Sequence, residues 1–221
     1  MDIYADNTEF LLEAINICLD GTWTVDKISI NPTYRLTRED GYSLKAKFLP
    51  TITPIENHEL FQEAGVRVPK LEYVIQADEN AHNCYIMITE WITGTCYMNA
   101  MTDPVAMGAI PPSHYIELGK LLASINNITI EDRWMGMNDL IWGQFVFKDG
   151  KVDQLYLIDT NKAMPLDQPT RFYRRIFSHR NISAESKRRF IDGYMSVWDP
   201  RPPTPGEIAQ MLFLVAMRKK T

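Results

Sequence analysis

Apolar and polar residues alternate with two different periods along this chain, and the period changes near residue 93. Between residues 22 and 92 the alternation is mostly that of half-buried β-strands. Five segments have this pattern: TWTVDKISI, TYRLTR, YSLKAKFL, VPKLEYVIQ and CYIMITEWI. Asp40 and Gly41 stand between the second and third segments, and Asp-Gly is a strong signal for a β-hairpin. The pattern therefore predicts a five-stranded antiparallel sheet.

Helical periodicity precedes, interrupts and follows these strands. The segment NTEFLLEAINICL comes before them, and IENHELFQEA lies between the third and the fourth. After Gly94, HYIELGKLLASINNI carries apolar residues three and four positions apart, and the pattern from Gln168 onward is mostly helical. A β-rich part followed by a helix-rich part predicts an α+β fold with two lobes and a cleft between them. We place these lobes at residues 1–92 and 93–221.

Two aspartates, Asp139 and Asp159, stand at the edges of the apolar runs between residues 137 and 163. Between them, FVF and LYLI have the pattern of two short buried strands joined at Lys148-Asp149-Gly150. A hairpin in this place would bring its two ends, and with them the two aspartates, to the same side. Two carboxylates that converge in this way suit general-base chemistry or a Mg²⁺ site.

Lys45 lies on the third predicted strand, where alternation places it on the same side as Lys47. A lysine that faces inward needs an anionic partner, because an unpaired buried ammonium is costly. Glu56, with Glu59 as the alternative, could supply that partner from the following helix. A solvated strand face is the other interpretation of Lys45.

The fifth predicted strand ends at Glu90-Trp91-Ile92, directly before Thr93-Gly94. A buried strand that ends in this way can expose backbone groups to an adenine ring. The chain then turns into the second lobe. The segment is therefore a candidate hinge that contacts a nucleotide.

Charge and composition disfavour several classes of protein. The 221 residues carry a formal net charge of −5, and a generic nucleic-acid binder needs a basic surface. The three cysteines lack CxxC spacing, so we expect neither a zinc site nor a disulfide framework. The sequence contains no signal-peptide pattern at its start and no apolar run of membrane-spanning length. These features predict a cytoplasmic protein without a membrane span.

Six motifs, read in order, resemble those of the aminoglycoside phosphotransferase and choline kinase group, within the protein-kinase-like fold. They are SLKA, IENHEL, AGVRVPKL, ITEWITGT, ELGKLLASINNI and RFIDGY. The resemblance covers nearly the whole chain and identifies it as a small, atypical member. It implies a β-rich, nucleotide-binding first lobe and a mainly helical second lobe with the catalytic loop and the acceptor site. The implied activity is transfer of the γ-phosphate of ATP, with Mg²⁺, to a hydroxyl of a small molecule or, alternatively, of a protein.

The resemblance also implies a role for each candidate residue of the first lobe. Lys45 would contact the α- and β-phosphates of ATP, and Glu56 would orient it. Glu90, Trp91 and Ile92 would form the hinge that contacts the adenine. Such sites work by positioning and by neutralising charge rather than by covalent chemistry.

In the second lobe, Asp139 matches the catalytic aspartate that accepts or orients the proton of the substrate hydroxyl. Asp159 matches the metal-binding aspartate, and Gln144 stands where the family has a second, metal-ligating asparagine. Met137 replaces the histidine that braces the catalytic loop, and Asn126 replaces a histidine common at the end of the preceding helix. No glycine-rich phosphate loop is evident in the sequence.

These departures make a catalytically degenerate kinase-like binding module, or pseudokinase, the alternative hypothesis. The sequence leaves open the phosphate acceptor, the choice between ATP and GTP, and the oligomeric state.

Overall fold

The computed structural model describes residues 7–29, 31–76, 84–97, 104–131, 133–137, 142–166 and 181–198. Contacts between Cα atoms divide the chain into two compact units. The first unit consists of residues 1–60 and 69–92, and the second of residues 61–68 and 93–221. The boundary placed at residue 92 from the sequence, and the roles given to the two lobes, remain predictions.

The first unit is built on the antiparallel five-stranded sheet that the sequence predicts. Its strands are β1 (Trp23–Lys27), β2 (Thr33–Arg38), β3 (Ser43–Leu49), β4 (Leu71–Gln76) and β5 (Tyr85–Glu90). They lie in the order β1-β2-β3-β5-β4, and every neighbouring pair is antiparallel. Helix α1 (Thr8–Cys18) precedes the sheet, and helix α2 (Thr53–Glu63) connects β3 to β4.

Helix α1 packs on one face of this sheet. Leu11 and Ile15 of α1 are completely buried there, one turn apart on the same side of the helix. They join a core of alternate strand residues: Tyr34, Leu36, Leu44, Ala46, Phe48, Ile86 and Ile88. Burial of each large apolar side chain contributes about 1.5–3 kcal/mol, so this face fixes the register of the strands.

The opposite face of the sheet packs against α2. Leu49 of β3 and Met87 of β5 form a small buried cluster with Ile55 of the helix. Successive residues of a strand point to opposite faces, so Lys45 and Lys47 share this face with Leu49. The sheet thus has one face whose buried residues are all apolar and one face that also carries cationic side chains beside its buried cluster.

The second unit combines helices with two small sheets. In chain order its elements are β6 (Gly94–Cys96), α3 (Pro104–Gly108), α4 (Pro112–Asn126), β7 (Thr129–Ile130), β8 (Arg133–Met137), a 3-10 helix (Trp142–Gln144), β9 (Phe145–Lys148), β10 (Leu155–Leu157), β11 (Ala163–Leu166) and α5 (Ala184–Val197). One sheet has the order β10-β9-β6 and the other β11-β8-β7. Over the described ranges, no helix has both the length and the apolar character needed to cross a membrane.

Helices α4 and α5 approach each other so closely that only glycine fits at two positions. A Cβ atom on Gly119 of α4 would lie 2.7 Å from the backbone nitrogen of Tyr194 on α5. In the reverse direction, a Cβ on Gly193 would lie 2.8 Å from the carbonyl carbon of Ile116. Because these neighbours are backbone atoms, the helices can accommodate a larger residue only by moving apart.

We predict that Gly119→Ala and Gly193→Ala each destabilise the protein. Alanine favours a helix over glycine by about 1 kcal/mol, but forced overpacking costs about 1–3 kcal/mol and often more against backbone. We expect a net loss of about 1–2 kcal/mol in the free energy of unfolding, measured by urea denaturation. Asp192→Ala, at an exposed neighbouring position of α5, is the matched control and should change stability little. Equal or greater stability of both glycine variants would contradict the close packing.

Candidate active site

The β9–β10 hairpin holds Gln144 and Asp159 at its open end. Phe145 of β9 is paired with Leu157 of β10. One residue further out, the Ile158 N–H donates to the carbonyl oxygen of Gln144 at 2.8 Å. The backbones of the two predicted metal ligands, Gln144 directly before β9 and Asp159 shortly after β10, therefore lie at the same end of the hairpin.

The side chains at this end contain the oxygen atoms that Mg²⁺ prefers. Asp159 is half-buried, and its Oδ1 accepts the backbone N–H of Asn161 at 3.0 Å. This bond orients the carboxylate with respect to its own loop. Gln144 is 5% exposed and contributes an amide oxygen. Over the described ranges, this end of the hairpin included, no group of three or more histidine, cysteine and acidic side chains is placed to hold a metal ion.

Asp139, the predicted catalytic residue, lies outside the described residues, as do its neighbours from 138 to 141. The residues on both sides of that segment are described. Met137 ends β8 and is paired with Ala163 of β11, while Gln144 is held by Ile158 before Asp159. The chain thus leaves one small sheet at Met137 and enters the other at β9, and it makes the return connection through Asp159.

The buried amide side chain of Asn126 holds β8 through a hydrogen bond to its backbone. The Asn126 Nδ2 at the end of α4 donates to the carbonyl oxygen of Met135 at 2.6 Å. The Tyr194 hydroxyl of α5 donates to the Asn126 Oδ1 at 3.1 Å. Met137, two residues along the strand, is 1% exposed. In the sequence, Asn126 stands out only as a departure from histidine. In the structure it joins α4, β8 and α5. The spacing of the residues gave no sign of its pairing with Tyr194, the tyrosine of the RFIDGY motif.

In the first unit, Lys45 lies half-buried on the face of the sheet that α2 covers. On that helix His58 is 2% exposed, and its Nε2 donates to the carbonyl oxygen of Pro69 at 2.7 Å. Burial lowers the pKa of His58, the bond to Pro69 raises it, and the positive charge of Lys45 lowers it further. The positive charge of Lys45 thus acts on the buried imidazole of His58, a contact between charge and ring that the sequence did not suggest.

The two glutamates considered as partners of Lys45 lie on the outer side of α2. Glu56 and Glu59 are both exposed, whereas Asn57 and His58 are buried. The pairing of Lys45 with Glu56 therefore remains a prediction. Helical periodicity identified the helix, but its few apolar residues did not define which side faces the sheet.

The predicted hinge follows directly from β5. The Glu90 N–H donates to the carbonyl oxygen of Lys70 at 2.8 Å, and the Trp91 N–H donates to that of Ser43 at 3.4 Å. For the Ile92 N–H, no acceptor is found in the described part of the chain. The side chain of Ile92 is buried, so only its backbone could contact a nucleotide.

Comparison with solved structures decides the fold. The chain is similar to an aminoglycoside-3'-phosphotransferase of type VIII, with 15% identity, 96% of this chain and 99% of that chain covered, and a TM-score of 0.58. It is similar to the amicoumacin kinase hAmiN in complex with AMP-PNP, Ca²⁺ and Ami, with 13% identity, 97% and 84% covered, and a TM-score of 0.64. The macrolide 2'-phosphotransferase MphH from Brachybacterium faecium gives 11% identity, 93% and 88% covered, and a TM-score of 0.61.

The chain has a protein-kinase-like fold of the aminoglycoside phosphotransferase type. This confirms the α+β, kinase-like fold predicted from the sequence, and at these identities the likeness shows the fold alone. No protein-family model and no curated protein sequence matches the chain. The individual roles of Lys45, Glu56, Gln144 and Asp159 in this kinase-like fold remain predictions.

We predict that Asn126→Ala lowers the free energy of unfolding by about 2–4 kcal/mol. The substitution leaves the Met135 carbonyl and the Tyr194 hydroxyl without their partner, and each buried unsatisfied group costs about 1–3 kcal/mol. Asn127→Ala is the matched control, because Asn127 also bonds to α5, through the Val197 carbonyl, but at an exposed site. We expect the control to lose less than about 1 kcal/mol in urea denaturation. Equal losses for both variants would contradict a special role for Asn126.

We also predict that stability decreases as the pH falls through the ordinary histidine value of 6.5. The pKa of His58 is lower in the folded protein, so the unfolded chain binds its proton first and is favoured by acid. The contribution is fully present above pH 6.5 and has a slope of at most about 1.4 kcal/mol per pH unit. Burial lowers the pKa of His114 as well, so that group acts in the same direction.

Urea denaturation at several pH values between 8 and 5.5 would measure this dependence. His58→Gln should flatten the curve, because glutamine can still donate to the Pro69 carbonyl but does not titrate. His114→Gln should flatten it separately, and the double variant most of all. A His58→Gln curve parallel to that of the wild type would rule out the contribution of this residue.

Proposed function

We propose that this protein is an ATP- and Mg²⁺-dependent phosphotransferase that moves the γ-phosphate to a hydroxyl group of a small molecule. The observation that supports the proposal most is the pair of connections between the two small sheets. Met137, before Asp139, is paired with Ala163, and Gln144, after it, accepts the N–H of Ile158. Ile158 and Ala163 in turn lie before and after Asp159. Phosphoryl transfer requires a general base and a metal ligand at a fixed spacing, and the anchored residues on both sides of segment 138–141 are consistent with that requirement.

The residues at the open end of the hairpin fit a magnesium ion in their chemistry. Asp159 would supply a carboxylate oxygen and Gln144 an amide oxygen, both hard ligands. The glutamine side chain is one methylene longer than asparagine, but its carbonyl group is an equivalent ligand. Asp159 and Gln144 would hold the ion, which would supply charge neutralisation for the nucleotide phosphates.

In the first unit, Lys45 would bind the α- and β-phosphates, since it is a half-buried cation on the face of the sheet that α2 covers. Glu90, Trp91 and Ile92 would bind the adenine through their backbone. The Ile92 N–H supports this role, because it finds no acceptor among the described residues and is therefore a donor that a base could engage.

Asp139 would act on the acceptor. Its carboxylate would accept, or orient, the proton of the hydroxyl that attacks the γ-phosphate. A small-molecule acceptor is favoured because the similar solved structures carry the names of enzymes that act on aminoglycosides, macrolides and amicoumacin. We propose a cytoplasmic location, where ATP is available.

The proposal predicts Mg²⁺-dependent stabilisation by ATP in differential scanning fluorimetry. At a ligand concentration near 100 Kd the stabilisation is about 2.7 kcal/mol, which raises Tm by roughly 5–10 °C for a chain of this size. Asp159→Asn should abolish the dependence on metal, and Lys45→Met should weaken the effect of ATP with or without Mg²⁺. Asp139→Asn should keep the shift but lower ADP release with a panel of hydroxyl-bearing compounds by about 100-fold or more.

Two substitutions serve as matched controls. Asp192→Asn removes an exposed carboxylate of α5, and Lys27→Met removes an exposed ammonium at the end of β1. Both should respond to ATP as the wild type does. Absence of any metal-dependent shift, together with no ADP release, would refute the proposal. A shift without turnover in the wild type, unchanged by Asp139→Asn, would support the nucleotide-binding module without catalysis.

A further inference from the structure

Arg35 of β2 lies on the same face of the sheet as Lys45. Its strand neighbours Tyr34 and Leu36 both belong to the core under α1, so Arg35 points to the other face. In the register of β2 and β3, Arg35 is the direct partner of Lys45. Two cationic side chains therefore start from adjacent positions on the face that we assign to the nucleotide.

The Arg35 side chain extends from this position to the predicted hinge. Its guanidinium carbon lies 4.9 Å from the centre of the Trp91 ring. Its Nη2 donates to the Ser43 hydroxyl at 3.1 Å, and the carbonyl oxygen of the same serine accepts the Trp91 N–H. Ser43 thus holds the guanidinium and the hinge backbone together, and places a planar cation beside Trp91.

One donor of this guanidinium is buried and has no acceptor. The Arg35 Nε is inaccessible to solvent, and none of the described residues offers it a hydrogen bond. Buried donors without a partner are rare in folded proteins, because their lost hydration is not replaced. An acceptor supplied by a ligand would satisfy this group.

Arg38, three residues along the same strand, shows how an arginine is satisfied within this protein. It also lies over aromatic rings, 5.7 Å from Trp23 and 5.1 Å from Tyr42. However, its Nε and Nη2 both donate to the carboxylate of Asp40, at 3.0 and 2.6 Å. Both arginines contact an aromatic ring, but of the two only Arg35 has a buried Nε without a hydrogen-bond acceptor among the described residues.

We propose that Arg35 binds the base of a purine nucleotide. The guanidinium beside Trp91 is a surface on which the purine ring stacks, and a small shift of the side chain on binding would bring the unmatched Nε–H to an acceptor atom of the nucleotide. Nucleobases stack on guanidinium planes as they do on aromatic rings. Arg35 would thereby contact the base, while Lys45 contacts the phosphates. This inference rests on the proposed function, because it assigns a further residue to the same nucleotide site.

Isothermal titration of four ligands tests the assignment: adenosine, ADP, MgATP and tripolyphosphate. Arg35→Met keeps much of the side-chain volume without the plane or the donor. We expect it to bind adenosine and ADP about tenfold more weakly and tripolyphosphate as the wild type does. Arg35→Lys keeps the charge but not the plane, so it should lose adenosine affinity to a similar degree. Arg38→Met is the matched control, and its affinities should not change.

Thermal unfolding of each variant, measured without ligand, confirms that the compared proteins are folded. Unchanged adenosine affinity in both Arg35 variants would overturn the proposal. A loss confined to tripolyphosphate would overturn it as well, in favour of a phosphate contact, and tighter adenosine binding would indicate that Arg35 obstructs the base. These outcomes leave the proposed function intact, whereas a wild type that binds none of the four ligands would refute both.

Discussion

Backbone pairing at two points fixes the connections on which the candidate site depends. At one point Met137 of β8 is paired with Ala163 of β11, and at the other Ile158 donates its N–H to the Gln144 carbonyl. The two ends of the connection from β8 to β9 are therefore bonded to the two ends of the connection from β10 to β11. A displacement of reacting groups by about 1 Å can cost about 100-fold in rate, so short strands are better supports for such residues than free loops.

The support for β8 comes from two helices that can approach each other because Gly119 and Gly193 carry no side chain. This approach places Tyr194 of α5 within hydrogen-bond distance of Asn126 of α4, and Asn126 in turn bonds to Met135. The close approach of the helices thus permits the two hydrogen bonds of Asn126, and these bonds support β8, the strand that ends at Met137. At the positions of Asn126 and Met137, where the resemblance described above leads one to expect histidines, this chain has an amide and a buried apolar residue. An amide bridges the same elements without titrating, so this support should not vary with pH.

Long periodic segments were predictable from the sequence, and short or weakly amphipathic ones were not. The five strands of the first unit and helices α1 and α4 follow from alternation and helical spacing, because large apolar cores select those patterns. Strands β6, β7 and β11 have two to four residues each, too few to show a period. In α2 the sequence offered Glu56, with Glu59 as the alternative, as the partner of Lys45; the structure shows both glutamates exposed and His58 buried. Side-chain geometry such as the position of Arg35 over Trp91 depends on strand register, which composition does not encode.

The charge on the α2 side of the sheet shows how a chain with a net charge of −5 can still suit an anionic ligand. Lys45 and Arg35 start from paired positions there, Lys47 shares the same face, and the imidazole of His58 lies near enough to Lys45 to feel its charge. Burial and the charge of Lys45 both lower the pKa of His58, so the imidazole stays neutral at physiological pH. Because its Nε2 proton is engaged by the Pro69 carbonyl, His58 acts as a buried neutral support of α2 rather than as a phosphate-binding cation. The positive charge of this face is therefore local and carried by the strand residues Arg35, Lys45 and Lys47, and local charge decides phosphate binding more than the net charge of the protein.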